Sequence, residues 1–356
     1  MVLSHCLHAL PGPEEPASFT LSAVKASAYV QLTFNCASRA AERPWTPQGP
    51  PIQFVHIPKA GGTSLNDLFG YGKPRVDMQG VKVRLHNFPG ALSEHQPLQN
   101  GTVHLGHQPV GWGASSAQAK PLYIVVLREP LGRAISLYDH MATSAYRKTR
   151  SVRMQQVYDR MKHLQTRAEP AARKAGVPST HTFEWLLARN DPVARHIAFN
   201  DSQLDYLVPA PHNRPCTTDL MASVRVAAHV LLRADVVAVT EEARLLEPQL
   251  QLHAPALFGQ NSKIPHSNSR VLSRLPQELR NATAQKLRAE PLFQAQALIH
   301  DLAQRLARAR AMHAQRCLAA SEGGEPCAMD CSAHISVEQA GLLGAPVRSL
   351  ASRVRS

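Results

Sequence analysis

The segment Tyr123-Ile-Val-Val-Leu127 limits the fold more than any other stretch of this chain. It is almost entirely apolar, rich in β-branched residues, and closed at once by Arg128-Glu-Pro130. A strand without polar alternation has to be covered on both faces, as in a parallel sheet with helices above and below it. Beyond Pro130, Leu131, Ile135 and Tyr138 fall at i, i+4 and i+7 and predict a helix. Ile52-Gln-Phe-Val-His-Ile57 predicts another buried strand, broken by Pro58–Gly62. A helix is expected from there towards Phe69, with Thr63 or Ser64 as its N-cap. A third strand is expected at Asp235–Val239, with Thr240-Glu-Glu242 capping the following helix. Leu298, Ile299, Leu302 and Leu306 form the apolar stripe of a last strong helix. Strand–helix alternation of this kind predicts a doubly wound parallel α/β sheet flanked by helices.

That domain is expected over 51–315. Residues 1–50 carry Pro11, Pro13, Pro16, Pro44, Pro47 and Pro50 without a sustained period and read as a flexible tail or stem, or as an incomplete start. Gly, Ser, Pro and Cys dominate 316–356, which reads as a poorly ordered tail. With 44% hydrophobic residues the chain can bury a sizeable core, and 18% charged residues exclude a disordered polyelectrolyte. No apolar run reaches the length of a membrane-spanning helix. No short apolar core follows a basic start, as a signal peptide needs.

The charge balance is 39 − 26 = +13, which points to an anionic partner: nucleic acid, anionic lipid, nucleotide or acidic glycan. Aromatics at 5% argue against the stacking platforms of single-strand nucleic-acid binders. The six cysteines include no C-x-x-C pair, so a zinc ribbon is not indicated. Cys317 with Cys327, or Cys317 with Cys331, could close a loop in an oxidising compartment. Sequons stand at Asn100, Asn200 and Asn281.

The chemistry concentrates at Phe54-Val-His-Ile-Pro-Lys-Ala-Gly-Gly-Thr-Ser64, which runs strand, glycine-containing turn, helix start. Gly61 and Gly62 allow a tight turn that brings N–H groups inward. The helix N-terminus contributes partial positive charge, Thr63 and Ser64 add hydroxyls, and Lys59 adds a full charge. Pro58 to Ser64 therefore reads as a phosphate cradle. It is not the G-x-x-x-x-G-K-S/T loop of the ATPases, because Lys59 precedes both glycines.

The string His56-Ile-Pro-Lys-Ala-Gly-Gly-Thr-Ser64 resembles the 5′-phosphosulfate loop of the Golgi-type carbohydrate sulfotransferases, most nearly the heparan sulfate 2-O- and 6-O-sulfotransferase group. Ile124 to Tyr138 is similar to that family's 3′-phosphate segment, a strand followed by R-D/E-P-x-x-R-x-x-S-x-Y/W. The resemblance implies a P-loop-like fold and 3′-phosphoadenosine 5′-phosphosulfate (PAPS) as sulfuryl donor. Arg128 and Ser136 would hold its 3′-phosphate, with Arg133 either assisting or structural. An arginine fork with a hydroxyl suits a phosphate dianion. Weaker likenesses follow: Gln203-Leu-Asp-Tyr-Leu207 to N-x-Q-x-R-x-L, with Asp205 in place of the usual arginine, Val237 to Glu242 to V-G-L/V-T-E, and Asn261–Arg270 to a closing loop.

Sulfuryl transfer is an in-line displacement that needs a base for the acceptor hydroxyl and positive charge at the leaving phosphate. Lys59 suits the second role. Among eighteen histidines, His107 of His104-Leu-Gly-His107 matches the family segment that carries the proposed base, and His104 is the runner-up. Glu94 and His86 are weaker bases. No metal is required by this logic. Arg147, Lys148, Arg150, Arg153, Arg160, Lys162 and Arg167 form either a solvated helix face or a basic wall beside the acceptor. The implied acceptor is a glycan or proteoglycan, anionic in character, met in the Golgi lumen; nucleic acid is not an implied partner. The rival readings are an ATP- or GTP-using kinase or NTPase, a non-catalytic glycan-binding relative, and a protein-tyrosine sulfotransferase.

Overall fold

A computed structural model of the chain describes residues 45–46, 48–55, 57–61, 64–65, 82–86, 100–106, 110, 121–142, 166, 170–177, 185–187, 189, 194, 202–207, 220–258, 281, 285, 287 and 290–322. For 82–86, 106, 138–142, 221–222, 225–226, 229 and 322 it describes the backbone alone.

Five strands form one parallel sheet: β1 (Ile52–Val55), β2 (Lys82–His86), β3 (Thr102–Gly106), β4 (Leu122–Leu127) and β5 (Val236–Val239). Their spatial order is β2-β3-β1-β4-β5. The helices that shape the site are α1 (Pro130–Ala142), α2 (Gln203–Leu207), α3 (Leu220–Arg233), α4 (Leu246–His253) and α5 (Pro291–Glu322). A 3₁₀ helix, Thr240–Leu245, joins β5 to α4. Among the described residues no helix is long and apolar enough to cross a membrane.

Both faces of the sheet are buried, which is why its central strands lack polar alternation. Ile52, Phe54, Ile124, Val126, Val236 and Ala238 pack with Trp45, Leu246 and Leu250 on one face. Val55, Val125, Leu127, Val237 and Val239 pack with Val224, Ala227 and Leu231 of α3 and Ile299, Leu302 and Leu306 of α5 on the other. Each fully buried leucine or valine contributes roughly 1.5–3 kcal/mol. The α/β class, the three expected strands and the helices after Pro130 and around Leu302 all appear in this sheet and its cover.

Four details differ from the sequence reading. β2 and β3 are additional strands; the polar residues in them break the apolar pattern, and Thr102 and His104 are nonetheless buried. Trp45, ahead of the expected start at 51, is buried, and its backbone N–H donates to His253 O at 2.8 Å. The last helix continues to Glu322, because Ala311, Ala314 and Cys317 extend its buried stripe. Thr240–Glu242 do not cap a helix: neither the 3₁₀ helix nor α4 has a side-chain cap, and Glu242 departs from helical geometry (φ −129°, ψ 46°). Those three side chains bind neighbouring elements instead.

One of them, Glu242, takes Arg308 and Gln304 of α5. The outer edge of β5 is closed by Gln249 of α4, whose Oε1 accepts Val237 N–H at 3.1 Å while its Nε2 donates to Val237 O at 2.9 Å. A side chain thus substitutes for a further strand and blocks edge pairing. Arg310 of α5 donates to Leu231 O, Leu232 O and Ala234 O and so satisfies the C-terminal carbonyls of α3.

Candidate anion-binding site

The strand order brings two connections to one place. The chain leaves β1 for β2 on one side of the sheet and leaves β4 for β5 on the other. β1 and β4 are neighbours in register, Ile52 with Leu122 through Val55 with Val125. Diverging connections from adjacent parallel strands open a crevice at their carboxyl ends, where α/β proteins bind ligands. The turn 57–61 and the pair Arg128-Glu129 occupy that crevice.

The first turn is built by Pro58. Ala60 N–H donates to Ile57 O at 3.1 Å, closing Ile57-Pro58-Lys59-Ala60 as a β-turn. Proline fixes a negative φ at its second position, and Lys59 has φ 67°, so the turn is of type II. That third position ordinarily belongs to glycine; a lysine held there stores about 1–2 kcal/mol of strain. Gly61, at φ 80°, turns the chain back. A Cβ on Gly61 would stand 3.3 Å from Thr240 Cγ2, and Thr240 Oγ1 donates to Leu127 O at 2.9 Å. The glycine thus lets the turn rest against the end of β5. Leu65 N–H reaches Gly61 O at 3.4 Å, so helical bonding starts at Gly61 rather than at Thr63 or Ser64 as the sequence suggested. Ser64 is half-buried at this helix start; Gly62 and Thr63 lie outside the described residues.

The second connection is fixed more tightly. Half-buried Arg128 donates from Nη1 to Lys59 O at 3.1 Å. Its backbone is clasped by Gln203 of α2: Arg128 N–H donates to Oε1 and Gln203 Nε2 donates to Arg128 O, both at 2.9 Å. Gln203 is itself 1% exposed, and its N–H donates to Gln296 Oε1 of α5. Glu129 N–H donates to Glu241 Oε1 at 2.9 Å, and Glu241 Oε2 meets His300 Nε2 at 3.1 Å. Burial raises the Glu241 carboxyl, but the bonds from His300 and from Glu129 N–H outweigh it and hold the group below the usual carboxylate range. The Glu129 carboxylate turns onto α1, accepting Leu131 N–H at 3.0 Å and Gly132 N–H at 2.6 Å. With Pro130 at the first helical position, Glu129 is the N-cap. Those helix N–H groups are therefore committed, and an anion beside α1 would depend on side chains.

The remaining candidates divide. Ser136 lies on α1 and is half-buried, while Arg133 is wholly buried in the same helix. His104 is 4% exposed within β3, opposite Gln53 of β1, with Nε2 2.6 Å from Thr102 Oγ1; it is a core histidine. β3 ends at Gly106, and His107 lies outside the described residues, as do His86's side chain, Glu94, the basic residues between Arg147 and Arg167, and Asn261–Arg270. Asp205 of α2 is exposed. Asn100 and Asn281 are exposed, and Asn200 is outside the described residues. Cys317 is disulfide-bonded, with its partner outside the described residues.

Lys59, Arg128 and Gly61 are legible in the sequence, whereas the capping role of Glu129 is not anticipated there, and Glu241, expected to cap a helix, binds Glu129 N–H and His300 instead. An acidic residue directly before proline at a helix start was the available signal for the Glu129 cap. Glu241 had no comparable signal, since its partners come from Glu129 and His300, far away in sequence. No family model matches this sequence, and no curated protein matches it.

Proposed function

We propose that the chain is a PAPS-dependent carbohydrate O-sulfotransferase on a P-loop-like α/β domain. The observation that carries this reading is the bond from Arg128 to the Lys59 carbonyl. The two segments that resemble donor-binding motifs lie 69 residues apart at this bond and meet at the diverging ends of adjacent strands. Three further facts support it: the central place of β1, the type II turn that follows it, and the unfavourable φ tolerated at Lys59. Strain of that kind is kept where a backbone has to present a particular side chain.

In this reading Pro58, Lys59, Ala60, Gly61, Gly62, Thr63 and Ser64 cradle the 5′-phosphosulfate, and the Lys59 ammonium stabilises charge that develops on the leaving phosphate. Arg128 and Ser136 hold the 3′-phosphate, since the α1 N–H groups are taken by Glu129. His107 removes the proton of the acceptor hydroxyl. The excess of positive charge, +13 over the chain, favours an anionic glycan. The disulfide at Cys317 favours an oxidising compartment such as the Golgi lumen.

Ligand-induced stabilisation tests the donor assignment. Adenosine 3′,5′-bisphosphate is expected to raise the melting temperature in a saturable manner, and ATP with magnesium to raise it far less. A larger effect from ATP with magnesium would favour a kinase or NTPase and overturn the reading.

A further inference from the structure

We infer that Gln203 and Glu241 are positioning residues for the Arg128 guanidinium, and that they give the site its preference for a nucleotide carrying a 3′-phosphate. The inference rests on the donor-binding reading above and names residues to which that reading gives no task.

The argument starts from the backbone of Arg128 and Glu129. These residues follow the end of β4, where ladder bonding stops. A chain leaving a sheet ordinarily gives its polar groups to water and gains freedom. Here Arg128 N–H and Arg128 C=O are both bound by Gln203, Glu129 N–H is bound by Glu241, and Glu129 C=O accepts Arg133 N–H. All four groups are therefore held, and the first three by side chains from elements remote in sequence. Gln203 arrives on α2 and is braced by Gln296 of α5; Glu241 arrives after β5 and is braced by His300 of α5. One helix thus supports both clamps.

Gln249 serves as an internal comparison. It binds Val237 N–H and C=O with the same two atoms and similar distances, yet it stands at the outer edge of β5. There the clasp has an evident structural purpose, the closure of a sheet edge. No sheet edge needs closing at Arg128, because β4 lies between β1 and β5. What the Gln203 clasp fixes is the start of one long side chain whose guanidinium already meets the Lys59 carbonyl. Holding its Cα fixes where the side chain starts and the bond to Lys59 O restrains its far end, so less freedom is left to lose on binding a phosphate, which is how supporting residues raise affinity.

The test is the ratio of affinities for adenosine 3′,5′-bisphosphate and adenosine 5′-monophosphate, measured by calorimetry on the full chain. The two ligands differ only in the 3′-phosphate, so loss of general stability leaves the ratio in place. Gln203→Met and Glu241→Ala are each expected to reduce the preference by about tenfold or more, the scale on which lost outer-shell partners act elsewhere. Glu241→Gln, which still accepts Glu129 N–H, is expected to keep it, and so is Gln249→Met whatever its melting temperature. If Gln203→Met does not fold, the Glu241 pair decides, since that side chain is 36% exposed. An unchanged ratio in Glu241→Ala, or an equal fall in Gln249→Met, overturns the positioning role. Equal affinity of the unaltered protein for both nucleotides overturns the donor reading and the inference with it.

Discussion

The guanidinium of Arg128 and the carbonyl of Lys59, 69 residues apart in the chain, are joined by a hydrogen bond at the carboxyl ends of β1 and β4. The carbonyl is in place because Pro58 and the positive φ of Lys59 make the turn one of type II. Backbone geometry at one motif therefore sets the side chain of the other.

The strain at Lys59 yields a prediction with opposite signs for stability and function. Lys59→Gly relieves a left-handed residue of roughly 1 kcal/mol, partly offset by the freedom glycine gains when unfolded. Lys59→Ala relieves nothing. The glycine variant should therefore melt at or above the alanine variant, while both lose sulfuryl transfer. A glycine variant clearly less stable than alanine in denaturant titration would show that the turn is not strained.

Gly61 and Gly176 both have positive φ, 80° and 72°, yet their surroundings differ. A Cβ at Gly61 would press on Thr240 Cγ2 at 3.3 Å, whereas one at Gly176 meets nothing within 4 Å. Alanine at either site should cost about 1–2 kcal/mol for backbone strain. Only Gly61→Ala should also weaken binding of adenosine 3′,5′-bisphosphate. Similar binding losses in the two variants would remove the link between the turn and Thr240.

The elements legible in the sequence were those whose signal is local. β4 announced itself through five successive apolar or aromatic residues, and α5 through a stripe at helical spacing. β3 did not, because Thr102 and His104 are buried polar residues that satisfy each other, so burial there carries no hydrophobic mark. Lys59 and Gly61 stood out because a lysine and glycines in a strand-to-helix turn have few other uses. Gln203, Gln249 and Glu241 act through partners 75, 12 and 112 residues away; the weak likenesses around Gln203 and Glu241 mark their segments, but no local pattern names those partners.

A pH dependence of stability follows from His253. Burial, then the charges of Arg310 and His313, push its imidazole down from 6.5 to about 4. His313 is itself lowered by burial and by Arg316. Between those values the unfolded chain binds a proton that the folded chain refuses, so stability is lost as pH falls from 6.5 towards 4. Each such group contributes a slope of at most about 1.4 kcal/mol per pH unit. His253→Gln should flatten the fall in melting temperature over this range. An unaltered slope would place the titration elsewhere.

An anionic acceptor predicts salt sensitivity. If the basic residues between Arg147 and Arg167 contact a polyanionic glycan, the acceptor KM should rise steeply between roughly 50 and 200 mM salt. Charge reversal at Arg150 and Arg153 should raise that KM and leave donor affinity intact. A KM flat with salt and indifferent to both changes would indicate a neutral glycan or a small acceptor.

The central claim is sulfuryl transfer, and transfer itself tests it most directly. Purified protein with sulfur-labelled PAPS and a panel of desulfated glycans should move label into at least one polysaccharide. Lys59→Ala should lower kcat by two orders of magnitude or more, about 3 kcal/mol of stabilisation at the leaving phosphate. His107→Ala should lower it about 10²–10⁴-fold with little change in affinity for adenosine 3′,5′-bisphosphate. Transfer that is equal in the unaltered protein and in Lys59→Ala, or no transfer to any acceptor despite tight binding of that nucleotide, would contradict the account.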